Sequence, residues 1–132
     1  MSDIQRVIAY AEAEKVSAFY FSFPSRENLL IPRSALFVLK HPWWYLQETE
    51  RITATVGVET HQRTWRLIGL LVLPDKRKAG YGSLCVNHVL GLAKEADVEV
   101  KIATLIPDFF TRFGFQIYDV PFKSGIVKMR YG

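Results

Sequence analysis

One cysteine, Cys85, stands among the 132 residues, which excludes an internal disulfide and a zinc site built on paired thiolates. A lone thiol suits a reducing compartment, and a cytoplasmic location is the expectation. Long apolar runs are missing too: none approaches the roughly 20 residues that cross a bilayer, and the opening MSDIQRV has no apolar signal segment. No membrane partner is expected. Excess charge is modest, +4 with a pI near 9.3, so basicity permits nucleic acid as a partner without requiring it. Repeats, low-complexity tracts and linkers are absent as well. What remains is apolar bulk: 49% hydrophobic and 14% aromatic residues, in a length that suits a single domain over 1–132.

The most informative stretch is WRLIGLLVLPDKRKAGYGSLCVNHVLGLAKE, residues 65–95. Leu67 to Leu73 is a nearly unbroken apolar run of strand length, and Pro74, which cannot donate to a ladder, should end it. Asp75 to Tyr81 then forms a basic turn. Beyond it Leu84, Val86, Val89, Leu90 and Ala93 recur at helical spacing, so Gly80 and Gly82 sit where a helix opens. The first N–H groups of that helix lack intrahelical acceptors and, with the macrodipole, attract phosphate. The glycines admit a ligand close to the backbone, and Arg77 and Lys78 add charge at the rim. A P-loop would need Gly-Lys-Ser/Thr where this chain has Gly82-Ser83-Leu84. A dinucleotide fingerprint would need three glycines, and two fit.

The run Val72-Leu73-Pro74, followed by Arg77-Lys78-Ala79-Gly80-Tyr81-Gly82, resembles the acyl-CoA cradle of the GCN5-related N-acetyltransferase (GNAT) superfamily. That cradle reads Arg/Gln-x-x-Gly-x-Gly/Ala after a strand ending in Val-x-Pro. Downstream, Phe109-Phe110-Thr111-Arg112-Phe113-Gly114-Phe115 resembles the same family's helix-to-strand passage. The resemblance extends from about Ile52 to the C-terminus. It implies an α/β (α+β) fold: a mixed, mostly antiparallel sheet, helices on both faces and a splayed central strand. It also implies an N-acyltransferase that uses acetyl-CoA or another acyl-CoA. The implied cofactor residues are Leu71, Val72, Leu73, Arg77, Lys78, Ala79, Gly80, Tyr81, Gly82 and Ser83, with backbone N–H groups of Leu71 to Leu73 meeting the thioester and pantetheine.

Where the family most often places a tyrosine acid, this chain has Phe110, and Ala103 falls near the place of a frequent asparagine. Amino-acid N-acetyltransferases of the arginine pathway are similar in having Phe-Phe before Gly-Phe. The candidate catalytic residues are then Asp108, at the mouth of a short helix, and Tyr118, on the following strand. Asp108 is equally a helix cap by its position. Cys85 and His88, three residues apart on the cradle helix, read as packing residues. No metal is expected; His41, His61 or His88 with Asp108 is the residual combination.

The acceptor side of the family varies and comes from the N-terminal half. His41-Pro42-Trp43-Trp44-Tyr45 gathers aromatics there, and two adjacent tryptophans on a strand cannot both face one core. One is expected to anchor the core and the other to line an acceptor pocket, which makes Trp43, Trp44, Tyr45 and Glu59 the substrate candidates. His61 lies beside Glu59 near a hairpin, where either is as readily a solvated turn residue as a base.

The remaining pattern predicts a helix capped at Ser2 or Asp3 and ending near Lys15, a strand from Val16 to Phe23 and a turn at Pro24 to Asn28. Leu29 to Lys40 reads as a strand broken at Pro32 or as an extended segment entering a short helix. Ile52 to Val58 alternates as a half-buried strand, and Thr60 to Thr64 turns it into the central one. Val98 to Leu105 is a strand, Pro107 to Phe113 a short helix, and Phe115 to Val120 and Gly125 to Tyr131 the last strands, joined around Pro121 to Ser124. Exposed edges near those strands suit a homodimer.

Three functions compete. The first is acyl transfer to a small amine or amino acid. A second rests on a resemblance to the phage Mom-like branch, which modifies adenine in DNA: the chain is small, basic and aromatic-rich, with Asp108 and Tyr118 at loosely matching spacing. The third is an inactive relative that binds CoA or a protein partner.

Overall fold

The computed structural model describes residues 3–21, 35–120 and 125–132. Its frame is a seven-stranded sheet in the order β1-β2-β3-β4-β5-β7-β6. The strands are β1 (Gln5–Arg6), β2 (Trp43–Glu48), β3 (Arg51–His61), β4 (Thr64–Val72), β5 (Glu99–Thr104), β6 (Gln116–Asp119) and β7 (Val127–Tyr131). Neighbours pair antiparallel except β4 and β5, which run parallel. Helices α3 (Tyr81–Ala96) and α4 (Pro107–Thr111) follow β4 and β5, while α1 (Tyr10–Phe21) and α2 (Ala35–Lys40) precede β2. No described helix is long and apolar enough to cross a membrane.

Alternation along the strands feeds two cores. Ala54, Val56 and Val58 of β3 meet Cys85, Val86, Val89 and Leu90 of α3, and Phe110 and Met129 join them. On the other face Ile52, Ile68 and Leu71 meet Val16 and Phe19 of α1 and Val38 of α2. Helices therefore cover both faces, as the resemblance implied.

The N-terminal third corrects the sequence reading. Gln5 and Arg6 form an edge strand rather than a helix, and the helix begins at Tyr10 and runs through the stretch expected as a strand, to Phe21. Its start has no Ser, Thr, Asp or Asn cap. Instead the Glu12 carboxylate reaches back to accept the backbone N–H groups of Ile8 and Ala9, at 3.2 and 3.0 Å. Ala13 and Val16, three apart, are wholly buried, which a helix on the sheet allows. The expected turn at Pro24 to Asn28, the segment Leu29 to Ser34 and the joint at Pro121 to Ser124 lie outside the described residues. Lys40 closes a short helix, one of the two alternatives for its segment.

Trp43 and Trp44 correct the expectation in a different way. They point to opposite faces and both are buried, Trp43 in the α1–α2 core and Trp44 in the α3 core. Each is a core residue, so neither ring is left to line a pocket. Tyr45 is buried beside Trp43, and its hydroxyl donates to the Glu12 carboxylate, with Gln5 Oε1 3.1 Å from the same oxygen. Burial, then that hydrogen bond, pushes the Tyr45 hydroxyl up to about 12.

Candidate active site

Two local features open a wedge beside α3. The first is a bulge: Thr55 faces Leu71 and Gly57 faces Ile68, so β4 spends three residues where β3 spends two. Gly69, at φ 60°, takes the left-handed conformation this requires, and the Thr55 hydroxyl donates to its carbonyl at 3.0 Å. The second is a short parallel pairing. Thr64, Trp65 and Arg66 match Glu99, Val100 and Lys101; beyond them β4 continues to Val72 and β5 to Thr104 without pairing to each other. The central strand is splayed.

The β4 backbone supplies fewer outward amides than the sequence suggested. Leu73 N–H donates back to Thr53 O at 2.9 Å, so it belongs to the β3 ladder. Strand alternation gives Leu71 the same direction and turns the Val72 amide toward the wedge. The Val72 carbonyl accepts the Arg77 Nε–H at 3.1 Å, which ties the basic turn to the strand end.

From there the chain makes a short helical turn at Pro74–Lys76 and enters α3 through two left-handed residues, Lys78 at φ 68° and Gly80 at φ 88°. Arg77, Lys78, Ala79 and Gly80 are exposed. The first bond of the α3 ladder runs from Leu84 N–H to Gly80 O at 3.0 Å, so the amides of Tyr81, Gly82 and Ser83 precede it. This is a solvent-open helix N-terminus bordered by two cations. A Cβ on Gly82 would lie 3.3 Å from Phe109 Cζ and 3.7 Å from Val72 Cγ2, which places this glycine between β4 and α4.

The Tyr81 side chain turns under the helix and is 7% exposed. Its hydroxyl donates to the Glu48 carboxylate at the end of β2, which holds the Glu48 carboxyl below the usual range and raises the Tyr81 hydroxyl. Glu48 also sits 3.5 Å from Lys76 Nζ, and Arg51 Nη2 lies 3.3 Å from Asp75. Glu48 was not a sequence candidate. It is 33 residues from Tyr81, and only the strand pairing brings the two together.

The catalytic candidates are not gathered. Asp108 is exposed on the first turn of α4, where Ile106 is the cap residue and no side chain caps the helix. Tyr118 lies on edge strand β6 with Lys101 Nζ 5.2 Å and Arg130 5.8 Å from its ring centre, on the sheet face away from α3. The two therefore lie on opposite faces. Phe110, in the customary tyrosine position, is 2% exposed and packs edge-on against Phe109 and Phe115. Glu59 is engaged by the Arg66 guanidinium, with Nε 2.8 Å from its carboxylate. Cys85 is fully buried, its thiol pushed up to about 12 by burial, and His88 packs edge-on against Trp44, with burial lowering its pKa. Among the described residues no three His, Cys, Asp or Glu side chains cluster as metal ligands.

A seven-stranded mixed sheet, parted between β4 and β5 beside a glycine-opened helix, defines an acyl-CoA-type transferase fold. The model of the acetyltransferase (GNAT) family matches residues 5–115, and the chain belongs to that family. No curated sequence matches it. Among solved structures it is similar to Rv2747 from Mycobacterium tuberculosis, determined in complex with CoA: TM-score 0.79, 12% identity, 97% of each chain covered. An aminoglycoside 6'-N-acetyltransferase complexed with coenzyme A superposes at TM-score 0.76 and 12% identity over 98% of this chain and 96% of that one. N-acetylglutamate synthase from Neisseria gonorrhoeae, complexed with coenzyme A and N-acetyl-glutamate, gives 0.77 and 13% over 98% of this chain but only 35% of its own. At such identities the likeness is one of fold. The resemblance to the Mom-like branch finds no support among these matches.

Proposed function

We propose that the protein transfers an acyl group from an acyl-CoA to the nitrogen of a small amine. The observation that carries this is the exposed Arg77–Gly80 turn leading into the leading amides of α3, beside the parted β4 and β5. A diphosphate is a suitable ligand for those amides and for Arg77 and Lys78. The Tyr81, Gly82 and Ser83 amides would hold it, with Ala79 and Gly80 forming the turn beneath. The pantetheine would then run along Val72, and Leu71 and Leu73 keep that strand end in register with β3. The relatives solved with CoA support the same cofactor.

The chemistry then rests mainly on placement. An uncharged amine held against the thioester gains from lost translational freedom, and a single amide such as that of Val72 can steady the developing oxyanion. The position of the usual acid is a core phenyl ring, Phe110, so the sulfur departs as thiolate, which a free thiol pKa of about 8.5 allows. Asp108, exposed on the first turn of α4 two residues before Phe110, is the carboxylate we assign to amine deprotonation. The test is mass spectrometry after incubation with acetyl-CoA and a panel of amino acids, aminoglycosides and polyamines, with duplex DNA as a separate arm. An acetylated amine is the expected product; CoA binding with no acylated product in any arm would replace the enzyme with a binding module.

A further inference from the structure

The carboxylate of Glu48 is out of place next to an anion cradle, because a negative charge there opposes the ligand the turn is built to receive. Its contacts supply a reason. It accepts the Tyr81 hydroxyl, which comes from the middle residue of Gly80-Tyr81-Gly82, and it sits 3.5 Å from Lys76, just ahead of the basic turn. Arg51, three residues on, pairs with Asp75 at 3.3 Å. The hairpin joining β2 and β3 thus grips the segment on both sides of residues 77–80. Within that hairpin, Thr49 takes the left-handed conformation at φ 57°, and the Gln47 amide donates to its carbonyl at 3.2 Å. The grip comes from a shaped turn.

We infer that Glu48 is a positioning residue for the acyl-CoA site: through Tyr81 it fixes the rotation of the first α3 turn, and so the direction of the amides that receive the diphosphate. This rests on the acyl-CoA reading above. The role should show in cofactor affinity, which a merely structural hydrogen bond from the buried Tyr81 would leave unmoved. Lys76 is partly neutralised by the same carboxylate, which leaves Arg77 and Lys78 as the cations nearest the ligand.

The experiment is calorimetric titration with CoA, together with steady-state kinetics against acetyl-CoA, on the full chain. Tyr81→Phe keeps every charge and loses the tie; Glu48→Gln loses the charge and keeps an acceptor for the hydroxyl. Tyr81→Phe is expected to raise the Kd for CoA and the KM for acetyl-CoA about tenfold with kcat within about twofold. Glu48→Gln should stay within about threefold of wild type, Glu48→Ala should match Tyr81→Phe, and the double variant should be no worse than either single one. Tighter CoA binding by Glu48→Gln with no change in Tyr81→Phe would overturn the inference, leaving Glu48 as an opposing charge only. So would a fall in melting temperature and kcat together at unchanged KM. A wild-type protein that does not bind CoA would overturn the acyl-CoA reading as well, and is thereby told apart from a wild type that binds while the variants bind equally.

Discussion

Gly82 offers the sharpest single perturbation of the cradle. A methyl group there would meet Phe109 Cζ at 3.3 Å and Val72 Cγ2 at 3.7 Å. Phe109 is only partly buried, so its ring tip can yield the few tenths of an ångström that the closer contact demands. Replacing glycine in a helix regains roughly 0.5–1 kcal/mol of backbone entropy, which offsets much of that contact, so Gly82→Ala should fold within about 1 kcal/mol of wild type. Cofactor binding should survive it within about threefold, since one methyl faces α4 and leaves the amides exposed. Gly82→Trp differs in kind. Its indole has to lie in the wedge between β4 and α4 or over the leading amides of α3, and either place takes volume the ligand needs. The expected loss of CoA affinity exceeds about a hundredfold, near 2.7 kcal/mol, while far-UV circular dichroism keeps its α/β shape. The assay is isothermal calorimetry of wild type, Gly82→Ala and Gly82→Trp at one salt concentration. A folded tryptophan variant with CoA affinity within about threefold of wild type would refute the reasoning.

Three further outcomes follow from the packing. A Cβ on Gly57 would stand 2.5–2.7 Å from the Trp43 indole, so Gly57→Ala should cost about 1–3 kcal/mol or more in urea unfolding, while Gly91→Ala, with open space around it, should not. Restoring the family's customary hydroxyl by Phe110→Tyr should leave kcat unimproved and cost about 1–3 kcal/mol, because the ring is enclosed by Phe109 and Phe115. Glu12 has a pKa held below its usual value, chiefly by the Tyr45 hydroxyl, so its contribution is complete above about pH 4.5 and fades as pH falls through the lowered value. The gap in denaturation midpoint between wild type and Tyr45→Phe should therefore shrink on acidification; a gap that widens would contradict the assignment.

Legibility in the sequence followed how local each signal was. The strand, proline, basic turn and helix of residues 65–95 are successive in the chain, so periodicity and punctuation placed them, and β4 and α3 stand where expected. The first helix was misplaced because its start is signalled by Glu12 acting backward on Ile8 and Ala9, with alanine just ahead of Tyr10. The aromatic stretch up to Phe21 looked like a strand through side-chain type, and tertiary packing of α1 on the sheet overrode that propensity. Strand alternation alone sets the paired tryptophans on opposite faces, but nothing local says that both faces of β2 are covered, so a second core stands where the pocket is expected. Asp108 and Tyr118 stand on successive elements of the chain, yet one lies on α4 and the other on the far face of an edge strand. Glu48 and the Thr55 clamp on Gly69 depend on strand register, which no single segment encodes.

The three residue pairs that hold β4 to β5 make the sheet two panels on a narrow seam. Whatever settles in the gap stands where rungs are missing and braces one panel against the other. Occupancy should therefore be felt as stiffness far from the contact points, with slower amide exchange along Ile102 to Thr104 as well as along the bulged strand.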